Sequence, residues 1–205
     1  SVPYGFEDVQ GLIDVFQGKP GHAYARSSTP TLDALCQKIK NMDNGVATAV
    51  FSSGMSAIVA TFLTLLKAGD HVICSRFLFG NTTSMLTTLE GYDIEITLVD
   101  ATDVNYVEAA LKPNTKMVFV ETIANPVTQV SALSEIGDFC EQKGLLYVID
   151  NTITSSYLFD ARSVKASLIT TSLSKYVAGH GNALGGSVTD TGLFNWENYP
   201  NIYQG

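Results

Sequence analysis

The chain is poor in the residues that carry most metal and redox chemistry. Its 205 residues include three cysteines and three histidines. Cys36, Cys74 and Cys140 lie far apart, with no CxxC pair and no Cys/His cluster. That spacing offers neither a metal motif nor a disulfide framework, so buried, reduced thiols and no metal are expected. Positive charge is also scarce. Twelve Lys and Arg stand against twenty Asp and Glu, a net charge of −8. Such acidity argues against a nucleic-acid or anionic-membrane surface. No apolar run reaches the roughly 18 residues of a membrane span, and no signal peptide is visible. Cytoplasmic residence is the resulting expectation. Without a secretory signal, the Asn81-Thr82-Thr83 sequon means little. Internal repeats, low-complexity tracts and interdomain linkers are lacking too.

Charged residues make up only 16% of the chain, against 45% hydrophobic ones. That balance predicts a large packed core, and the length suits one domain burying roughly 70% of its unfolded surface. Short β-rich runs alternate with helical ones. Strands are predicted at Thr48–Phe51, His71–Cys74, Glu95–Val99, Lys116–Val120, Leu145–Ile149, Leu168–Thr171 and Gly186–Val188. Helices are predicted at Val9–Phe16, Thr31–Met42, Ser56–Leu66, Thr82–Glu90, Val104–Leu111 and Leu133–Lys143. Runs such as Met117-Val118-Phe119-Val120 are apolar at every position, as parallel strands covered on both faces require. The expected fold class is α/β, a mainly parallel seven-stranded sheet with helices on both faces. Residues 1–30 read as an N-terminal arm and 31–205 as the main domain. The stretch from Asn195 onward shows no clear closing element.

In open α/β sheets, ligands bind beyond the carboxyl ends of the strands. Five predicted strands end in polar clusters. These are Ser52-Ser53-Gly54-Met55-Ser56, Arg76 to Thr82, Glu121-Thr122-Ile123-Ala124-Asn125-Pro126, Asp150-Asn151-Thr152 and Ser172-Leu173-Ser174-Lys175. Lys175 lies between an apolar run and the glycine-rich stretch that ends at Gly186. A lysine there is poorly placed for solvent and well placed for a site, and its amine is a potential imine-former. Taken alone, Lys175 also suits a surface or structural ion pair. Asp150 suits either an N-cap or an ion pair with a ring N–H⁺. The Gly54 turn suits either a plain βα turn or a phosphate cradle, and Ser172 and Ser174 are either loop polars or further phosphate donors. Together with the aromatic Phe79, these are the parts that pyridoxal phosphate requires.

These residues resemble the trans-sulfuration, or Cys/Met-metabolism, family of pyridoxal-phosphate enzymes. Five ordered motifs carry the resemblance: Tyr24-Ala25-Arg26, Ser53-Gly54-Met55, Glu121 to Pro126, Asp150-Asn151-Thr152 and Ser172 to Tyr176. The resemblance implies an aminotransferase-like, fold type I large domain. It implies that Lys175 condenses with pyridoxal 5'-phosphate and later shuttles a proton. Asp150 would then hold the pyridine nitrogen, Asn125 the phenolic oxygen, and Phe79 the ring face. Gly54, Met55, Ser172 and Ser174 would hold the phosphate. Tyr24 and Arg26 would reach the phosphate of a neighbouring subunit, Tyr24 sharing in catalysis, so that a dimer is the active unit within a homotetramer. The implied substrate is an amino acid.

Two departures from the family pattern stand out. Phe79 occupies a position where the family usually has tyrosine, so its phenol is missing. Asn182 follows Gly181 where relatives more often have Ser-Asp. A C-terminal small domain, expected in the family, is not found within the 205 residues. The implied reaction is γ-replacement or γ-elimination on O-acylhomoserine or a related sulfur amino acid. Methionine γ-lyase or cystathionine lyase chemistry is the alternative on the same scaffold. A nucleotide-binding α/β module and a non-catalytic subunit are the alternatives of another class. Against the nucleotide module, no G-x-G-x-x-G follows the first strand and no P-loop is present.

Overall fold

The computed structural model describes residues 2–202. Residue 1 of the expected arm and residues 203–205 of the expected main domain lie outside the described residues. The chain forms two compact units, residues 1–38 and 39–205. The division falls inside a helix.

In the first unit, α1 (Val9–Phe16) starts at Asp8, whose carboxylate accepts from the Gly11 amide at 2.7 Å. This is an ordinary N-cap. Pro3 bridges Tyr24 in antiparallel fashion, with Tyr4 N donating to Ala23 O at 3.0 Å. Helix α2 (Pro30–Met42) begins with proline, whose missing N–H costs nothing at a helix start.

The second unit is a seven-stranded sheet in the order β1-β7-β6-β5-β4-β2-β3. The strands are β1 (Ala47–Phe51), β2 (His71–Ser75), β3 (Glu95–Val99), β4 (Thr115–Glu121), β5 (Leu146–Asp150), β6 (Leu168–Thr171) and β7 (Gly186–Asp190). β7 pairs antiparallel with both β6 and β1, while β3, β2, β4, β5 and β6 run parallel. Since β7 reverses direction between β6 and β1, β1 points the same way as the parallel strands. The connecting helices are α3 (Gly54–Leu65), α4 (Gly80–Glu90), α5 (Val104–Ala109), α6 (Leu133–Lys143) and the short α7 (Ser155–Leu158).

Period-two alternation divides the buried side chains between two faces. Val72, Cys74, Met117, Phe119, Leu146 and Val148 pack with Phe62 of α3 and Leu86 of α4. Ile73, Val118, Val120, Tyr147 and Ile149 pack with Val107 of α5 and Ile136 of α6. The strands read as continuously apolar because both faces need apolar partners. Cys74 and Cys140 are buried, and burial pushes both thiols well up; Cys36 is only partly buried. No helix among the described residues is long and apolar enough to cross a membrane.

The segment after Asn195 does form a closing element, contrary to expectation. Phe194, Trp196 and Tyr199 meet edge to face. The Tyr199 hydroxyl donates to Leu65 O at 2.6 Å and the Asn201 amide donates to the same oxygen at 2.8 Å. They satisfy a carbonyl that the C-terminal turn of α3 leaves without a helical partner. A string of polar and aromatic residues gave no periodic signal of this docking.

One contact makes a direct test of the packing. A Cβ on Gly137 of α6 would lie 2.0 Å from the carbonyl oxygen of Val164. Alanine gains about 1 kcal/mol in helix propensity. The clash with backbone outweighs this, so Gly137→Ala should lose about 1–3 kcal/mol of stability. A lowered urea midpoint is expected; an unchanged one would show that the 161–164 turn shifts freely.

Candidate active site

A cleft of about 720 Å³ opens at the carboxyl ends of β1, β2, β4, β5 and β6. Strand parity decides which face it occupies. Glu121 and Asp150 are register partners at the ends of β4 and β5. Two-residue alternation puts them on the face of Phe119 and Val148, the face that α3 and α4 cover. The order of connections reverses between β2 and β4, since β3 lies on one side of β2 and β4, β5 and β6 on the other. Such a reversal leaves a crevice between neighbouring loops.

The β1–α3 turn forms one wall. Ser53 is the N-cap, its hydroxyl accepting from Ser56 N at 3.1 Å. The preceding Gly54 and Met55 amides, by helix geometry, have no acceptor within the helix. A Cβ on Gly54 would sit 2.6 Å from Cβ of Ser172. Glycine is therefore required here for the helix start to approach the end of β6, whatever the cleft binds. Ser172 is held in turn by its amide, which donates to Thr152 Oγ1 at 2.8 Å. The Thr152 amide donates to Asp150 Oδ1 at 2.9 Å. One short chain of hydrogen bonds thus ties β5 to β6 at the floor.

Of the ten residues singled out from sequence, eight line the cleft: Gly54, Met55, Phe79, Asn125, Asp150, Ser172, Ser174 and Lys175. Tyr24 and Arg26 belong to the first compact unit, where the Arg26 guanidinium lies 5.1 Å from the Tyr24 ring centroid. One placement differs from expectation. Lys175 is exposed rather than withdrawn from solvent, because β6 ends at Thr171 and the chain turns outward, Lys175 N donating to Ser172 O at 3.2 Å. The Ser174 hydroxyl donates to Gly185 O at 3.2 Å and accepts from Gly185 N at 3.0 Å, which ties down the loop that carries Lys175.

Glu121 and Thr152 were legible only as members of strand-end motifs, without roles. Glu121 is 6% exposed. Its Oε1 accepts from Phe79 N at 2.6 Å and its Oε2 from Asn125 N at 3.3 Å. Burial pushes this carboxyl up to about 7; the Phe79 amide opposes the shift, Asp150's charge adds to it, and the Asn125 amide opposes it. Burial also raises Asp150, against the Thr152 hydroxyl and amide. No ion pair among the described residues includes either carboxylate. The floor therefore holds two buried carboxyls with no cationic partner among the described residues, a place where a ligand bringing positive charge would draw them toward their ionised forms.

A parallel α/β sheet whose crevice combines a helix N-terminus, a lysine and a buried carboxylate defines a class, the fold type I pyridoxal-phosphate enzymes, and the solved neighbours are of that class. The chain belongs to the Cys/Met metabolism PLP-dependent enzyme family, whose model matches residues 1–204. It is 36% identical over 178 residues to the O-acetyl-L-homoserine sulfhydrylase of Corynebacterium glutamicum, a match covering 86% of this chain and 41% of that protein. It is 35% identical over 169 residues to the cystathionine gamma-lyase of Bacillus subtilis, covering 82% and 44%. A Campylobacter jejuni structure described as an O-acetylhomoserine (thiol)-lyase, which carries a pyridoxyl-lysine monophosphate, superposes with a TM-score of 0.86. The two share 30% identity across 93% of this chain and 47% of the other. The chain thus spans less than half the length of these relatives.

The Glu121 carboxyl has a consequence for stability. Raised from 4.5 to about 7 in the folded chain, it contributes stability fully below pH 4.5 that is lost as pH rises to about 7. Glu121→Gln cannot ionise. Relative to that variant, the wild-type chain should lose stability between pH 4.5 and about pH 8, measured by urea unfolding. Parallel stability curves for the two would contradict the assignment.

Proposed function

We propose that this chain is the cofactor-binding part of a pyridoxal-phosphate enzyme acting at the γ-carbon of an O-acylated homoserine or a related sulfur amino acid. Its reaction would be γ-replacement or γ-elimination. The observation that carries the proposal is the convergence, at one sheet edge, of a carboxyl floor without a cationic partner among the described residues, a glycine-requiring helix start and Lys175. These fit the group's three chemical features. The carboxylate suits a cationic ring nitrogen, the helix start suits a phosphate, and the amine suits an aldehyde.

In this reading Gly54 and Met55 donate their amides to the phosphate, and Ser172 and Ser174 add their hydroxyls, the Ser174 proton turning from Gly185 O to the phosphate. Asp150 accepts the ring N–H⁺; at 4 Å and an effective dielectric near 20 such a pair is worth about 4 kcal/mol. Asn125 faces the phenolic oxygen and Phe79 presents its ring face. Bound pyridoxal phosphate would supply an aldehyde for exchange with the substrate amine and a cationic ring that takes up electrons from the α-carbon. Lys175 would take the α-proton on Nζ, and the same amine would serve the later removal of a β-proton that lets the γ-substituent leave. Phe79 has no hydroxyl, so proton transfer falls to Lys175 and Tyr24.

Tyr24 and Arg26 are proposed, on the family resemblance, to serve the phosphate of a second subunit; a planar guanidinium suits phosphate. The homotetramer belongs to the same proposal and rests on the family resemblance; a cytoplasmic location is proposed beside it. Lyase chemistry on cystathionine or methionine is a second reading, favoured by relatives such as the cystathionine gamma-lyase of Bacillus subtilis.

Adding pyridoxal phosphate to the purified chain should produce a visible absorption band, and borohydride should fix one pyridoxyl group on Lys175, seen by mass spectrometry. Lys175→Ala should lose both while keeping the urea midpoint. Labelling at another lysine would refute the role of Lys175. Asp150→Asn should retain the fold and weaken cofactor binding by roughly 100-fold or more. Product analysis with O-acetylhomoserine plus sulfide, against cystathionine and methionine, separates replacement from elimination.

A further inference from the structure

Two of the groups proposed to flank the cofactor ring are not held by burial. Phe79 is 41% exposed and Asn125 is exposed. Phe79 caps α4 without a side-chain cap, so its amide is a donor that the helix cannot satisfy. That donor and the amide of Asn125 meet on one side chain, the carboxylate of Glu121, one oxygen to each. The two segments come from opposite sides of the reversal in strand order, one after β2 and one after β4. Glu121 itself is anchored from below: its backbone carbonyl accepts from Ser131 Oγ at 3.0 Å, and it is the last residue of a strand whose centre is fully buried.

We infer that Glu121 is a positioning residue, a buried carboxylate that clamps the Phe79 and Asn125 segments together and so sets the width of the ring slot between β2 and β4. The inference rests on the cofactor reading of the cleft. A carboxylate suits the task better than an amide because both of its oxygens accept. Glutamine keeps the length but turns an NH₂ toward one of the two backbone donors, which opens half of the clamp. The carboxyl is ionised well above pH 7, where the titration is read; hydrogen bonds to an ionised acceptor are about twice as strong as neutral ones, so the loss is then felt at the exposed ends of the clamp.

The test uses pyridoxine 5'-phosphate, which lacks the aldehyde, so that fit to the slot is read apart from covalent capture by Lys175. By calorimetric titration, Glu121→Gln should weaken its binding about tenfold, the size of one lost charged hydrogen bond. In a Phe79→Leu background the same substitution should cost less than about threefold, because the ring that Glu121 positions is gone. A purely structural carboxylate would give equal losses in both backgrounds, and that result overturns the inference. So does unaltered binding by Glu121→Gln. If neither Glu121→Gln nor Glu121→Asp folds, the carboxylate is a structural tie and the assignment falls. A wild-type chain that binds neither pyridoxine 5'-phosphate nor pyridoxal phosphate removes the cofactor reading and this inference with it. Wild-type binding with an unaffected variant removes the inference alone.

Discussion

Covering a parallel sheet on both faces is the constraint on which the rest of this structure depends. Between α3 and α4 on one side and α5 and α6 on the other, the strand centres have no water to meet. Polar side chains there would have to be paired, at a cost of several kcal/mol each if they were not. The ends of the strands are the one place where a side chain can be anchored by buried backbone and still reach a ligand. Glu121, Asp150 and Ser172 stand at or just past those ends. Rigidity comes from the core, and chemistry comes from the last residue or two.

The same constraint explains the electrostatics. Two carboxylates sit side by side in register where burial raises both. A packed domain ordinarily supplies a lysine or arginine to such a pair. Here no ion pair among the described residues includes either carboxyl, and Lys175 is exposed. In the proposed reading a cationic ring complements Asp150. In the same reading the free amides at the Gly54 helix start, which approaches Ser172, would favour the anionic end of the ligand.

How far this was legible in the residues differs from element to element. Strands with apolar residues at every position announced themselves, and Glu95–Val99 and Leu168–Thr171 fall at the expected bounds. α6 does too, since its apolar period is strong. The starts of α3 and α4 were expected two residues late, because Gly54 and Gly80 look like turn residues until the helix they begin is seen. The closing cluster of Phe194, Trp196 and Tyr199 has no period at all and is defined by contacts with α3. The role of Glu121 was hidden for a similar reason: its partners lie 42 and 4 residues away and are backbone amides, which leave no mark on composition.

The amino-acid sequence by itself determined the fold class, the strand ends that carry polar residues and, through five ordered motifs, the family. These follow from local pattern and residue identity, which a linear chain displays. Only the tertiary structure decided that β7 runs against its neighbours and that the Ser174 hydroxyl meets Gly185 across the loop. It likewise decided that Lys175 faces solvent and that one buried carboxylate joins two loops across the crevice. Each of these depends on which groups meet across distant parts of the chain and on how many hydrogen bonds a given atom has left to make.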